Sequence, residues 1–277
     1  MAENNFSLQK TLTMLLDEKK YHSLRDILST MNPADIAAIF DDLDQACLPL
    51  LFRLLPKELA AETFVEMEPE AQELLIRGFS DSELKEVIDE LYVDDAVDIV
   101  EEMPANVVQR ILSQAEPDMR KQINEILRYP EDSAGSIMTT EYVSLRPNMT
   151  VEEAILRIRR TGIDKETIYT CYVTRGHKLI GLTSVKDLLL CEDDDATIES
   201  IMQEHVITVS TLDDKEQVAQ MFSKYNFLAL PVVDTEDRLV GIVTFDDAMD
   251  VMEDEATEDM EKMAAMLPSE HPYMRST

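Results

Sequence analysis

Carboxylates carry most of the chemistry open to this chain. Within residues 246–261 stand nine acids, and no Lys or Arg follows until Lys262. Asp247, Asp250 and Asp254 fall at i, i+3 and i+7, which a helix would place on one face. Glu255, Glu258 and Asp259 fall at i, i+3 and i+4, on a neighbouring face. Like charges at such spacing destabilise a helix by roughly 0.2–0.5 kcal/mol per pair. A stable helix here calls for counter-cations, and hard divalent ions take carboxylate oxygen and water, Mg2+ keeping several waters. The plainer alternative is a solvated acidic face. A second group stands in LYVDDAVD, where Asp94 and Asp98 are i, i+4 and share a face; Glu62 lies two repeats earlier, in AAETF. Acids at a helix N-terminus offset the macrodipole, which accounts for Asp94 and Asp95 better than for Asp98.

A different chemistry is open at GLTSVKD, residues 181–187, and GIVTFDD, residues 241–247. Gly181 and Gly241 let the backbone turn close to a ligand. Ser184 and Thr244 can hydrogen-bond phosphate, and Asp187 and Asp247 can accept from a ribose hydroxyl. The same residues also suffice as helix caps, with Ser184 or Thr244 at the N-cap and Asp at the third helical position. No G-x-G-x-x-G or Walker loop accompanies them, so nothing supports nucleotide hydrolysis. His22, His177, His205 and His271 are scattered, with no nucleophile–base pairing, which argues against a hydrolase or any other enzyme.

These residues sit on two kinds of scaffold. Residues 1–129 read as helix throughout, with starters at Asn32, Leu55, Glu68, Ser80, Val93, Pro104 and Glu116. Pro33, Pro56, Pro69 and Pro117 suit a first helical turn, and Asn32 and Ser80 suit N-caps. Starters that recur this closely predict short helices stacked as a superhelical bundle. The period changes at YPEDSAG, residues 129–135. A unit then appears twice, from Ile137 and from Ile201, each opening with Ile-Met and ending at the Gly-x-x-Ser/Thr-x-x-Asp step. Strands are expected at 142–145, 168–173, 178–184, 206–209, 229–233 and 238–245, with helices beginning near Thr150, Val185, Asp213 and Asp246. Each copy is therefore β-α-β-β-α, and the acidic CEDDDAT, residues 191–197, joins them. A repeat at fixed offset outweighs any single motif.

Composition narrows the partners. The 277 residues carry 57 acids and 25 bases, a formal charge of −32. A chain this acidic repels nucleic acid and anionic lipid, which argues against a polyanion partner. Cys47, Cys171 and Cys191 are too far apart for a zinc site and fit a reducing compartment. No secretory signal and no apolar run of roughly 18 residues is present, so no spanning helix is expected within this stretch.

The repeat resembles a tandem pair of CBS modules, in which the Gly-x-x-Ser/Thr-x-x-Asp step is where adenine nucleotides often bind. The order of a helical region, YPEDSAG with M-T-x-E-Y-V behind it, ETIYTCYV, ALPVVD and VGIVTFDDAMDVMEDEATED resembles the cytosolic half of MgtE-type magnesium channels over nearly the whole chain. The resemblance implies a helical N domain (1–129), two CBS modules (130–195 and 196–252) and an acidic connecting helix (253–277) leading to a pore domain absent from this chain. It implies a homodimer on the cytoplasmic face of the membrane. Several Mg2+ ions would sit between Glu62, Asp94 and Asp98 on one side and Asp247, Asp250, Glu255, Glu258 and Asp259 on the other. Glu216 matches a further cation position of the family. Asn226 stands where an Asp is expected, which puts the site it would share with Glu216 in a weaker or rearranged form. The expected function is Mg2+ sensing that closes a pore, and the alternative is an adenine-nucleotide-sensing CBS module, with ATP as the second ligand.

Overall fold

The computed structural model of the chain describes residues 2–41 and 43–264. It divides into two compact units, 1–123 and 124–277. The first is helical: α1 (Ala2–Asp17), α2 (Tyr21–Leu28), α3 (Pro33–Asp41), α4 (Leu48–Phe52), α5 (Lys57–Val65), α6 (Pro69–Gly78), α7 (Asp81–Ile88), α8 (Val93–Glu102), α9 (Ala105–Gln114) and α10 (Pro117–Ile126), whose last turn enters the second unit.

Local chemistry sets these boundaries. Asn32 Oδ1 accepts from Ala34 N–H at 3.0 Å. Ser80 and Glu83 form a full capping box, the Glu83 carboxylate accepting from Ser80 N–H at 2.7 Å. Arg53 Nε donates to the same carboxylate at 2.6 Å, and with the Ser80 bonds holds Glu83 down at about 2. Pro33, Pro69 and Pro117 open their helices as expected. Pro56 does not: it stands one residue earlier as the N-cap, with extended ψ of 153°. Proline's fixed φ suits either place, and the extended ψ ends the preceding loop there. Helix α3 packs on α5, α5 on α7 and α7 on α9, while α4 packs on α6. Packing between alternate helices produces the stacked arrangement that the starter spacing predicts. Phe52, Phe64 and Phe79 meet at its centre with ring centroids 5.4–6.5 Å apart.

The second unit holds the repeat. The first copy is β1 (Tyr142–Leu145), α11 (Val151–Thr161), β2 (Thr167–Arg175), β3 (Lys178–Ser184) and α12 (Val185–Leu190). The second is β4 (Val209–Ser210), α14 (Lys215–Tyr225), β5 (Ala229–Val233), β6 (Leu239–Thr244) and α15 (Phe245–Ala264), preceded by a one-turn α13 (Ile198–Ile201). Each copy makes a three-stranded sheet, its first pair parallel and its second antiparallel.

Two expectations change. The strand at 206–209 shrinks to Val209–Ser210, because the chain first pairs Gln203 with Leu182 and reaches β5 only at Val209. Phe245 leaves the strand and opens α15. The 3-10 turn at Gly162–Asp164 and helix α13 have no counterpart in the sequence reading.

The copies are interlocked. Thr139, leading the first copy, bridges Ile242 of the second, and Gln203, leading the second, bridges Leu182 of the first. The segment at 129–135 docks onto the second copy too: Ala134 N–H donates to Asp213 O at 2.7 Å, Gly135 N–H to Thr211 O at 3.0 Å and Lys215 N–H to Asp132 O at 3.1 Å. Ser133 and Ser136 are buried, each hydroxyl bonded to a backbone carbonyl. YPEDSAG is thus a built-in arm of the second unit.

Candidate cation and nucleotide sites

Gly181 and Gly241 occupy matching positions, and their surroundings explain them. A Cβ on Gly181 would lie 2.7 Å from Met202 Sδ and 2.9 Å from Gln203 O. One on Gly241 would lie 2.7 Å from Met138 Sδ and 2.8 Å from Thr139 O. Each glycine makes room for the opposite copy's Met-led segment. The close backbone approach at both glycines serves the interlock.

The Ser/Thr and Asp of both steps bond each other. Ser184 Oγ donates to Asp187 Oδ2 at 2.6 Å and accepts from Asp187 N–H at 3.0 Å. Thr244 Oγ1 donates to Asp247 Oδ2 at 2.6 Å. Helix capping therefore engages all four residues in the structure. Another cleft, about 340 Å3, lies between the copies and is lined by Lys178, Ile180, Glu204, Val206, Thr208 and Asp237 among others. Sequence reading missed it because its walls come from segments of both copies that share no motif.

The acidic candidates divide between the units. In the helical unit, Glu62 is exposed on α5, and Asp94 and Asp98 lie one turn apart on α8. Asp94 is only 5% exposed, which a helix-terminal acid satisfied by solvent would not be, while Asp98 is exposed. In the second unit, α14 packs against α15, bringing Glu216 into the field of Glu255. Burial first, then Glu216 and Glu258, pushes the Glu255 carboxyl up. Glu258 has partial relief from Lys262 Nζ at 2.6 Å. Asp250 and Asp259 are exposed on the same helix. Burial pushes Asp247 up to about 6 against its usual 3.8, with the charges of Asp246 and Asp250 adding to the effect.

Hence the packing of α14 on α15 brings Glu216 near Glu255, with Glu258 one turn further along α15, and Asp247 and Asp250 stand near each other on the same helix. These donors fit Mg2+: all are hard carboxylate oxygens, and their crowding leaves negative charge that a divalent ion would neutralise. Asn226 has its own explanation. It caps α14 in the left-handed region, at φ 54° and ψ 45°, where Asn is among the best tolerated side chains. Residues 265–277, with His271 and the end of the expected connecting helix, lie outside the described residues. Among the described residues no helix is long and apolar enough to cross a membrane.

Known proteins share this order of parts. A model of the MgtE intracellular N domain matches residues 31–132, and the CBS domain model matches 134–192 and 198–254. The magnesium transporter MgtE of Thermus thermophilus is 39% identical over 94% of this chain, and that of Bacillus subtilis 32% identical over 92%. The chain spans only 58% and 56% of those two proteins. A crystal structure of the cytosolic domain of the Mg2+ channel MgtE in complex with ATP is 38% identical, with a TM-score of 0.82, covering 88% of this chain and 99% of that one. The soluble part of a magnesium transporter is 33% identical, also at 0.82, covering 92% and 100%. With helical region, docked arm and interlocked CBS pair all in the same sequence, the chain belongs to the MgtE magnesium transporter family.

Proposed function

We propose that this chain is the Mg2+-sensing regulatory part of a magnesium transporter, working at the cytoplasmic face of the membrane as a homodimer. The observation that carries the reading is the crowding on α14 and α15, where Glu255 is raised by its own burial and by Glu216 and Glu258. Helix α15 carries nine acids and one lysine, Lys262, and packs against α14, which bears Glu216. Mg2+ supplies the missing charge. Glu216, Asp247, Asp250, Glu255, Glu258 and Asp259 would hold ions on the second unit, and Glu62, Asp94 and Asp98 on the first.

The switch follows from charge. Without ions the acidic faces of the two units repel and separate. With ions they close, and the connecting segment 253–277, which begins within α15, transmits closure to a pore domain. A site held at ten times its Kd adds about 1.4 kcal/mol to the state that has it. About four such sites supply roughly 5.7 kcal/mol, enough for a switch from 1:99 to 99:1, which needs about 5.5 kcal/mol. Weak sites acting together thus give a steep response.

Adenine-nucleotide binding is the second reading, and the relative crystallised with ATP favours it. For this reading the candidate pocket is the cleft between the copies, and the Ser184 and Thr244 hydroxyls are held in their helix caps. A Mg2+ titration followed by backbone amide shifts tests the first reading. Shifts gathered on α5, α8, α14 and α15 are expected. Shifts absent up to about 10 mM, a saturating level for millimolar sites, would overturn it; ATP-induced shifts alone would put the nucleotide first.

A further inference from the structure

The two copies differ sharply in charge. Residues 146–187 carry eight bases and five acids, whereas residues 192–261 carry twenty-one acids and three bases. Much of the positive charge gathers at one end of α11 and the turn after it: Arg157, Arg159, Arg160 and Lys165. All three arginines are exposed, and no salt bridge involves any of the four among the described residues. Leu156, Arg159, Arg160 and Ile163 fall at i, i+3, i+4 and i+7, so they run along one side of the helix and its 3-10 extension. Leu156 is 40% exposed and Ile163 is 86% exposed.

The fold does not demand this face. In the equivalent helix α14, Met221, Ser223 and Lys224 stand where α11 has Arg157, Arg159 and Arg160, while the buried Ile158 and Phe222 match. The macrodipole welcomes Arg159 and Arg160 in the last turn. It explains neither Arg157, a turn earlier, nor an isoleucine left almost wholly in water.

We infer that the α11 face bearing Leu156, Arg157, Arg159, Arg160, Ile163 and Lys165 docks on an anionic lipid headgroup surface. Unpaired cations flanking exposed aliphatic side chains are the chemistry of an interfacial contact: the cations meet lipid phosphates and the apolar groups enter the headgroup boundary. The chain's overall negative charge does not forbid it, because screening confines each patch to roughly 8 Å at physiological salt. This contact is independent of the proposed Mg2+ sites, whose residues lie on other helices.

The test is flotation of the chain with vesicles of phosphatidylcholine alone or mixed with phosphatidylglycerol, in chelator so that no divalent ion bridges. Binding to the anionic vesicles only is expected. The variant R157Q/R159Q/R160Q/K165Q should lose at least about tenfold in partitioning, since each basic residue near such a surface contributes about fivefold. I163S should weaken binding, and R157K/R159K/R160K should retain it, because a bilayer reads charge rather than guanidinium geometry. Circular dichroism confirms that each variant is folded. Equal binding to both vesicles, no binding to either, or binding unchanged in the glutamine variant would overturn the inference. So would loss of self-association in that variant, which would assign the face to a second copy.

Discussion

Asp247→Asn should make the chain more stable at neutral pH. Asp247 is half-buried, and its carboxyl is raised from 3.8 to about 6 because burial penalises its charge. Every tenfold change in proton affinity is worth about 1.36 kcal/mol, so ionised Asp247 costs the folded state up to about 3 kcal/mol. Salt screens the part owed to Asp246 and Asp250, both exposed, leaving about 2 kcal/mol. The folded value lies above the unfolded one, so the native state holds the proton longer. This group's contribution to stability therefore falls as pH rises from about 4 to about 6 and is flat beyond. Asparagine keeps an acceptor for Thr244 Oγ1 and removes the charge. Urea unfolding in chelator should show the variant more stable by about 1–3 kcal/mol at pH 7.5 and equal to the parent near pH 4. Added Mg2+ should narrow the gap at pH 7.5 by stabilising the parent. A variant no more stable than the parent at pH 7.5, or a gap that persists at pH 4, would refute the reasoning.

Three further outcomes follow from the geometry. Gly241→Ala should cost about 1–3 kcal/mol, because its Cβ meets the Thr139 backbone carbonyl, which cannot swing aside; urea unfolding checks it. Ser184→Ala should cost about 1 kcal/mol through loss of the α12 cap and leave ATP affinity unchanged in a fluorescent-nucleotide competition assay. Sedimentation at tens of micromolar should show a dimer, motivated by Leu189, Leu190, Phe245 and Met249, each 46–69% exposed on α12 and α15; a strictly monomeric chain would count against it.

Much of the fold was legible because local rules and burial agreed. Strands β1, β3 and β5 fall at 142–145, 178–184 and 229–233, where apolar runs end at turns. Thr150, Asn32 and Ser80 cap the helices that their side chains predict. What escaped was non-local. VITV reads as a strand, yet pairing of Gln203 with Leu182 carries most of it away from β5. Gly181 and Gly241 were read as room for a ligand, and only the folded pair reveals a second demand on them, the close packing of Met202 and Met138. Among the acids, helical spacing identified the face of α15. It could not identify Glu216 and Glu255 as neighbours, since that depends on α14 packing against α15; the family resemblance supplied Glu216. Asn226 looked like a departure at a cation position, and its left-handed φ gives it a backbone role that no spacing rule reveals.

The central claim is that Mg2+ draws the acidic faces of this chain together. Small-angle scattering across a Mg2+ titration tests it most directly, comparing the parent chain with Asp94→Asn/Asp98→Asn/Asp247→Asn. The parent should compact in a steep transition at millimolar Mg2+, and the triple variant should start more compact in chelator and respond less. Identical profiles for the parent with and without Mg2+, or the same midpoint and amplitude in both proteins, would contradict the account and assign these acids to a solvated surface.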